Sequence, residues 1–129
     1  MSLPLLPSIA TGLALLLFAV TGANVSRARG RFGIEAPATA GHPDFERVFR
    51  AHQNTLEALA LFVPALWLFA AFVSPFWGGI VGLVWVVGRV LYAWGYYRGA
   101  GRREPGFVIG AVCSVILLLG ALLGMLLYR

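Results

Sequence analysis

Long stretches without a charged side chain dominate the pattern of the chain. Residues 1 to 26, 58 to 88 and 105 to 128 contain no Asp, Glu, Lys or Arg, whereas a helix needs only about 20 apolar residues to cross a bilayer. The middle stretch is too long for one crossing. Ser74-Pro75 divides it, because proline disfavours helix in the preceding residue and lacks a backbone N–H donor. The pattern therefore predicts four transmembrane helices, at about residues 4–25, 44–73, 76–99 and 104–128.

The composition agrees with an all-α integral membrane protein, a single four-helix bundle over residues 1–129. Hydrophobic residues make up 60% of the chain and charged residues 12%, about half the charged fraction of a soluble domain. The formal net charge is +5, and every basic residue is arginine because the sequence contains no lysine. These arginines stand between the apolar stretches and form no basic face, so the sequence disfavours nucleic-acid binding.

The distribution of arginine predicts the orientation in the membrane. Arg27, Arg29 and Arg31 follow the first apolar stretch and no basic residue precedes it. This order favours an uncleaved span with an outward N-terminus over a secretory signal. The third link also carries arginines and the second link carries none, so we expect links 26–43 and 98–104 to be cytoplasmic and both termini to lie opposite. Abundant Ala, Gly, Val and Arg without lysine is typical of a GC-rich genome and favours a bacterial inner membrane.

Several kinds of chemistry lack the residues that they need. Cys113 is the single cysteine and lies in an apolar stretch, so no intrachain disulfide can form and a packed side chain is favoured over a reactive thiol. His42 and His52 have no cysteine or carboxylate partners at metal-ligand spacing, so the sequence predicts no metal site. Catalytic Ser-His-Asp groupings and glycine-rich phosphate loops are also absent.

Polar side chains within the predicted helices form two stripes. On the second helix Arg50, Asn54 and Glu57 fall at positions i, i+4 and i+7 and share one face. A stripe at i, i+3 and i+7 on the third helix consists of Arg89, Tyr92 and Tyr96. Both stripes border the basic links, so we expect them to converge at one depth. A short amide or carboxylate inside an apolar helix must face protein or water.

Two explanations of the stripes remain open. In the structural one, Arg50 and Glu57 form an internal salt bridge that fixes the helix register, which leaves Asn54 and the tyrosines unexplained. In the functional one, the polar groups bind a small acidic peptide that carries carboxylates, an ammonium and amides. The peptide enters from the cytoplasm and an apolar co-substrate from the lipid. The arginines nearest the helix ends (27, 31, 98 and 102) are expected to snorkel to the interface.

Two separated strings of the sequence resemble one family, the membrane-associated proteins in eicosanoid and glutathione metabolism (MAPEG). The string FERVFRAHQNTLEALALF at residues 45–62 resembles the second helix of the family, and RAHQNTLE within it is most similar to the third microsomal glutathione transferase branch. The third helix of the family and the following loop resemble GRVLYAWGYYRGAGRR at residues 88–103. The resemblance implies a four-helix bundle that assembles as a homotrimer, with each binding site between two protomers.

The resemblance also implies how glutathione is bound. In the glutathione-using members, residues that match Arg50, Asn54 and Glu57 hold the carboxylate and amino groups of the peptide. Residues that match Tyr92 and Tyr96 add further contacts. Glutathione is therefore the co-substrate that the resemblance implies.

Three further matches concern catalysis and assembly. The residue matching Arg103 lies beside the sulfur, and a non-catalytic, lipid-presenting member of the family lacks it, so its presence here favours an enzyme. Residues matching Arg29 and His52 come from the adjacent subunit, although the leukotriene-conjugating synthase has glutamine at the position of His52. Ala58 and Gly30 replace a tyrosine and an arginine of that synthase, which argues against leukotriene synthesis itself.

The sequence thus predicts a membrane-bound glutathione transferase. A free thiol has a pKa near 8.5 and is only a few per cent thiolate at pH 7, and the Arg103 guanidinium would favour the anion. The thiolate conjugates a lipophilic electrophile or reduces a lipid hydroperoxide, and the sequence does not choose between them. The alternative is a non-catalytic, lipid-presenting protein of the same family. A small multidrug transporter is less favoured, because residues 1 to 26 contain no carboxylate.

Overall fold

Four long helices make up most of the computed structural model, which describes residues 4–129. Helix α1 spans Leu5–Phe32, α2 spans Pro43–Phe72, α3 spans Pro75–Arg98 and α4 spans Glu104–Leu126, and a 3-10 turn at Ala100–Arg103 precedes α4. No β-strand occurs within those residues. All four helices, the last taken together with its turn, are long and apolar enough to cross a membrane. The prediction of an all-α fold with four spanning helices is confirmed.

The predicted helix bounds are right to within two residues, except at the end of α1. This helix continues to Phe32 and not to residue 25 as predicted. A helix need not stop where the apolar stretch stops, because its backbone hydrogen bonds are satisfied internally and arginine is a good helix former. α1 ends at Gly33, which adopts a left-handed conformation with φ of 67° and donates its N–H to the Arg29 carbonyl.

Polar side chains cap the N-termini of α2 and α3. At α2 the imidazole Nδ1 of His42 accepts a hydrogen bond of 3.1 Å from the backbone N–H of Asp44, and Pro43 occupies the first turn. At α3 the Ser74 hydroxyl accepts a bond of 3.1 Å from the backbone N–H of Trp77. Each cap satisfies a backbone donor that has no partner inside its helix.

The centre of the bundle is packed with apolar side chains from all four helices. The rings of Phe62 and Trp85 stack with centroids 3.9 Å apart and an angle of 2° between their planes. Leu66 and Leu117 are fully buried beside them, and Cys113 belongs to the same core. Because lipid tails are as apolar as these side chains, close packing contributes more to helix association here than burial from water does.

Nearly all of the arginines lie at one end of the bundle, which we call the basic end. It comprises the last turns of α1 and α3, the first turns of α2 and α4, and the loops at 33–42 and 99–103. These parts meet because successive helices run in opposite directions. The link between α2 and α3, at the other end, carries no charge.

Gly95 of α3 and Gly106 of α4 bring the turn before α4, and the start of α4, directly against α3. A Cβ on Gly106 would lie 2.5 Å from the carbonyl oxygen of Gly88, and a Cβ on Gly95 would overlap the carbonyl oxygen of Arg102. Neither position therefore has room for a side chain, and backbone contact fixes the height of the turn on α3. Gly101, within the turn, faces open space with no atom within 4 Å of a Cβ.

We expect Gly106→Ala to destabilise the bundle by about 1–3 kcal/mol, because the added methyl group must push α4 away from α3. Thermal unfolding in detergent micelles measures this effect. The matched control is Gly12→Ala on α1, where a Cβ meets no atom within 4 Å, so its midpoint should stay the same or rise slightly. Equal midpoints for Gly106→Ala and the wild type would contradict this account of the packing.

Candidate functional site

A polar cavity of about 240 Å³ lies at the basic end, between α2, α3 and the turn before α4. Its lining residues are Arg50, Gln53, Asn54, Glu57, Tyr92, Tyr96 and Arg103. The structure thus brings together six of the eight site residues that the sequence analysis selected. Gln53 was missed, although its position three residues after Arg50 places it on the same side of α2.

Helix geometry places this cavity across the membrane boundary. Counted back from Phe72, the last residue of α2, Glu57 lies about 22 Å along the helix and Arg50 about 33 Å. The hydrocarbon core of a bilayer is about 30 Å thick. With Phe72 at the far edge of that core, Glu57 falls within hydrocarbon depth and Arg50 falls at the level of the headgroups.

The structure does not form the internal salt bridge considered for α2. Within residues 4–129 the single ion pair joins Asp44 and Arg47 at the start of α2. The guanidinium of Arg50 and the carboxylate of Glu57 both line the cavity without a charged partner. Both groups are therefore available to bind opposite charges on a ligand.

Arg89, which the sequence analysis placed in a stripe without a role, is buried directly behind the wall of the cavity. Its side chain is 2% exposed, and its guanidinium donates hydrogen bonds to Asn54 Oδ1 at 3.3 Å and Thr55 Oγ1 at 3.0 Å. The guanidinium carbon also lies 3.9 Å from the centroid of the Tyr92 ring. A buried cation thus supports two residues of the cavity wall from behind.

The contacts of Arg89 determine which atom Asn54 presents. Since the amide oxygen of Asn54 accepts from Arg89, its NH₂ group remains a donor for a ligand carbonyl or carboxylate. No carboxylate in residues 4–129 forms a salt bridge with Arg89, and its Nε–H is buried without an acceptor. Such a group carries a desolvation cost that its contacts offset only in part. The sequence signal for this role is an arginine flanked on both sides by apolar residues, two turns inside a helix.

Aromatic contacts hold Arg103 at the rim of the cavity. Its guanidinium lies 5.1 Å from the centroid of the Tyr96 ring and donates a hydrogen bond to the Ala100 carbonyl. The Tyr96 ring in turn packs edge-to-face against Tyr92, with centroids 5.6 Å apart. The rings of Tyr92 and Tyr96 therefore form a row between the guanidinium of Arg89 at one end and that of Arg103 at the other.

Arg29 and His52, the other two predicted site residues, lie outside this cavity. Arg29 donates to the carbonyl oxygens of Ala38 at 2.7 Å and Ile34 at 3.4 Å, and lies 5.1 Å from the centroid of the Phe45 ring. It thereby ties the loop that follows α1 to α2. A contribution of these two residues to the site of an adjacent subunit stays a prediction.

His52 packs against α1 of its own chain. Its ring stacks on Phe18 with centroids 4.6 Å apart, and its Nδ1 lies 2.9 Å from the Thr21 hydroxyl oxygen. That hydroxyl also lies 2.8 Å from the Phe18 carbonyl oxygen, to which it donates. Stacking and the hydroxyl contact together hold the His52 ring against α1.

Two less polar cavities adjoin the polar one. One of about 430 Å³ shares Asn54, Tyr92 and Arg103 with it and continues along the first turn of α4 to Phe107 and Val108. The other, of about 200 Å³, shares Asn54 and Glu57 and continues between α2 and α4 past Leu61 and Trp85. Of these two neighbours, the one along α4 also contains Glu104 and has mixed walls, whereas the one between α2 and α4 has mostly apolar walls that suit an apolar molecule.

The sequence of this chain has relatives among known proteins. The sequence matches the model of the MAPEG family over residues 6–123. A protein of Synechocystis sp., named only as uncharacterized, is 52% identical over 120 residues, which cover 93% of this chain and 88% of the relative.

Relatives with functional names are more distant. Microsomal glutathione S-transferase 2 of Homo sapiens is 39% identical over 99 residues, 76% of this chain and 67% of the relative. Leukotriene C4 synthase of Cavia porcellus is 37% identical over 116 residues, 90% of this chain and 77% of the relative. These names do not test the similarity to the third microsomal branch, which stays a prediction.

Proposed function

Because this chain belongs to the MAPEG family, we propose that it is a membrane-bound glutathione transferase that activates the glutathione thiolate. The observation that carries the proposal is the polar cavity, in which Arg50 and Glu57 lack charged partners of their own. Two of the compared relatives are named microsomal glutathione S-transferase 2 and leukotriene C4 synthase. The first of these names supports glutathione as the co-substrate.

The charges of the cavity complement those of glutathione. Two arginines and one glutamate line it, which gives a formal charge of 2 − 1 = +1, opposite to that of a peptide with two carboxylates and one ammonium. In the proposed complex Arg50 binds a carboxylate and Glu57 binds the ammonium, both through charge-assisted hydrogen bonds. Asn54 donates its NH₂ group to the peptide, and the hydroxyls of Tyr92 and Tyr96 add further contacts.

Arg103 is the proposed catalytic residue. A guanidinium beside the sulfur stabilises the thiolate over the thiol and so lowers the pKa of the bound glutathione. A decrease of two pKa units corresponds to about 2.7 kcal/mol of preferential stabilisation, which one charge at reduced dielectric is able to supply. The proton leaves to solvent, so no general base is needed.

The two adjoining cavities are the proposed route for the second substrate. A lipophilic electrophile in the cavity along α4 would meet the sulfur beside Arg103, which lines that cavity and the polar one. The cavity between α2 and α4 joins the polar one at Asn54 and Glu57 and offers room for an apolar part of the same substrate.

In conjugation the thiolate forms a bond to the electrophilic carbon as the bond from that carbon to its leaving group breaks, for example with release of chloride from an aryl chloride. In the alternative reaction the thiolate attacks the hydroperoxide, the O–O bond breaks and the lipid leaves as an alcohol, and the glutathione sulfenic acid so formed reacts with a second glutathione to give the disulfide and water. We propose the first, the second, or both as the activity of this one site.

We further propose that the active assembly is a homotrimer in which Arg29 and His52 of an adjacent subunit complete each site. The observation that supports it is the position of the cavity, whose residue Glu57 is exposed in the single chain. The proposed location is a bacterial inner membrane, with the basic end in the cytoplasm because arginine-rich loops are retained there.

Turnover with 1-chloro-2,4-dinitrobenzene tests the proposed function. The purified protein in detergent or liposomes should form the glutathione conjugate at a rate proportional to protein concentration. The alternative, a non-catalytic protein that presents a lipid, predicts glutathione or lipid binding without turnover. Absence of both conjugation and hydroperoxide reduction, in protein shown to bind glutathione, would favour that alternative.

Glu57→Gln should weaken glutathione binding about 10- to 100-fold, because the carboxamide leaves the ammonium of the peptide without its anionic partner. Isothermal titration calorimetry measures the change in dissociation constant. Glu35→Gln is the matched control, since Glu35 is exposed in the loop after α1 and does not line the cavity. Equal affinities for Glu57→Gln and the wild type would contradict this placement of the peptide.

A further inference from the structure

A second groove lies between α1 and α3, on the face of α3 that the polar cavity does not use. It has a volume of about 160 Å³ and its walls are almost entirely apolar. The lining residues are Leu17, Val20, Thr21 and Asn24 of α1 and Val90, Ala93, Trp94 and Tyr97 of α3. Val20, Val90 and Trp94 are between 46% and 56% exposed, so the groove is open along its length.

A basic cavity of about 410 Å³, which we call the mouth, continues this groove toward the basic end. Asn24 and Tyr97 line both spaces, and Arg27 and Arg31 stand above them. The two arginines are four residues apart on α1 and therefore share one face, about 6 Å from each other. The apolar groove thus leads into the basic mouth.

Hydrogen bonds link the two helices at the junction of groove and mouth. Arg27 donates to Asn24 Oδ1 at 2.8 Å, and Asn24 Nδ2 donates to the Tyr97 hydroxyl at 3.0 Å. The Tyr97 hydroxyl proton is then free to donate to an acceptor in the mouth. The guanidinium of Arg98 lies 4.5 Å from the centroid of the Trp94 ring, on the wall of the groove.

Among the residues that the structure describes, the arginines that line the mouth have no acidic partner there. Asp44 is the one acidic residue that lines it, and its carboxylate pairs with Arg47. Within residues 4–129 neither Arg27 nor Arg31 forms a salt bridge. The sequence analysis expected these two arginines to snorkel to the interface. Snorkelling explains their depth in the membrane, but it does not explain why both line one cavity that continues into an apolar groove.

The apolar groove and the basic mouth lie at different depths along α1, as the acyl chain and the headgroup of a lipid do in a bilayer. Counted from Leu5, the first residue of α1, Leu17 lies about 18 Å along the helix and Asn24 about 29 Å. Arg27 and Arg31 follow at about 33 and 39 Å. With a hydrocarbon core about 30 Å thick, the groove lies at acyl-chain depth and the arginines lie at headgroup depth.

We propose that the groove between α1 and α3 binds an anionic phospholipid of the surrounding membrane. The part of one acyl chain nearest the headgroup lies in the groove, and the phosphate is held by Arg27 and Arg31, with the Tyr97 hydroxyl as a further donor. Guanidinium groups bind phosphate oxygens through paired hydrogen bonds, and basic pockets between transmembrane helices are suited to anionic headgroups. The proposal does not depend on the transferase activity, because no residue of the polar cavity takes part.

Native mass spectrometry of the protein released from mixed micelles tests the proposal. Phosphatidylglycerol and phosphatidylcholine with identical acyl chains are added in equal amounts, and the bound fraction of each is compared. We expect wild-type protein to retain phosphatidylglycerol about 10-fold more than phosphatidylcholine. In Arg27→Gln/Arg31→Gln this preference should disappear, whereas Arg102→Gln, an exposed cation outside the mouth, should keep it.

A second variant tests the apolar part separately. Val90→Trp fills the groove without changing the charge of the mouth, and it should reduce retention of both lipids. Equal retention of phosphatidylglycerol by the double arginine variant and the wild type would overturn the proposal. So would a loss of oligomeric state in Val90→Trp with unchanged lipid retention, since the groove would then be an interface between copies of the chain.

Discussion

Arg103→Ala is expected to lower the thiolate fraction of bound glutathione at pH 7 about 25-fold without preventing binding. With a thiol pKa two units below its free value of 8.5, about three quarters of the bound peptide is thiolate at pH 7. Without the guanidinium the pKa returns toward 8.5 and the fraction falls to about 3%. Ultraviolet absorbance of the thiolate and the rate of conjugation should fall together, because the thiolate is the attacking species.

The pH dependence distinguishes loss of the charge from loss of structure. The variant should recover as pH rises through 8.5, and at pH 9 its thiolate fraction should approach that of the wild type to within about 1.5-fold. Arg102→Ala is the matched control, because Arg102 lies in the same turn but does not line the cavity. Undiminished thiolate absorbance in Arg103→Ala at pH 7, with glutathione bound, would refute the catalytic role of this residue.

Arg89→Met is expected to weaken glutathione binding about 10- to 100-fold while leaving the unliganded protein as stable as before, or more stable. Arg89 is buried without a carboxylate partner, so an apolar side chain of similar length removes a desolvation cost. The same change releases the amide of Asn54 and withdraws a cation from the Tyr92 ring. Binding falls because the peptide must then order these side chains itself.

The two readouts of Arg89→Met separate a positioning role from a purely structural one. Calorimetry gives the affinity for glutathione, and thermal unfolding without glutathione gives the stability. A residue needed only for folding would lower the unfolding temperature, and affinity measured on the folded fraction would not change. Arg102→Met, which removes an exposed cation, should leave both quantities unchanged.

Much of the fold follows from features that act over short distances in the sequence. Uncharged stretches and Ser74-Pro75 are enough to predict four helices, because a bilayer requires a minimum apolar length and proline interrupts a helix. The end of α1 was not predictable from hydropathy, since the helix leaves the membrane and continues to Gly33. Its end is a property of local backbone conformation and not of the lipid.

Part of the cavity was predictable for a similar reason. Arg50, Asn54 and Glu57 share a helix face by spacing alone, and the structure places all three in one cavity. The contact of Arg89 with Thr55 joins residues 34 positions apart, and periodicity within one helix carries no information about such a pair. The attachment of Arg29 to the loop after α1, and of His52 to α1, depends in the same way on how the helices pack.

The open space around Gly101 makes the turn before α4 a suitable place for a spectroscopic label. Cys113, the one cysteine of the sequence, is buried in the core, so a thiol introduced by Gly101→Cys would be the accessible one. A fluorophore attached there would stand two residues from Arg103, while the close contacts of Gly95 with Arg102 and of Gly106 with α3 are left unchanged. Ligand arrival and departure would thus be observable in real time without a dye inside the cavity.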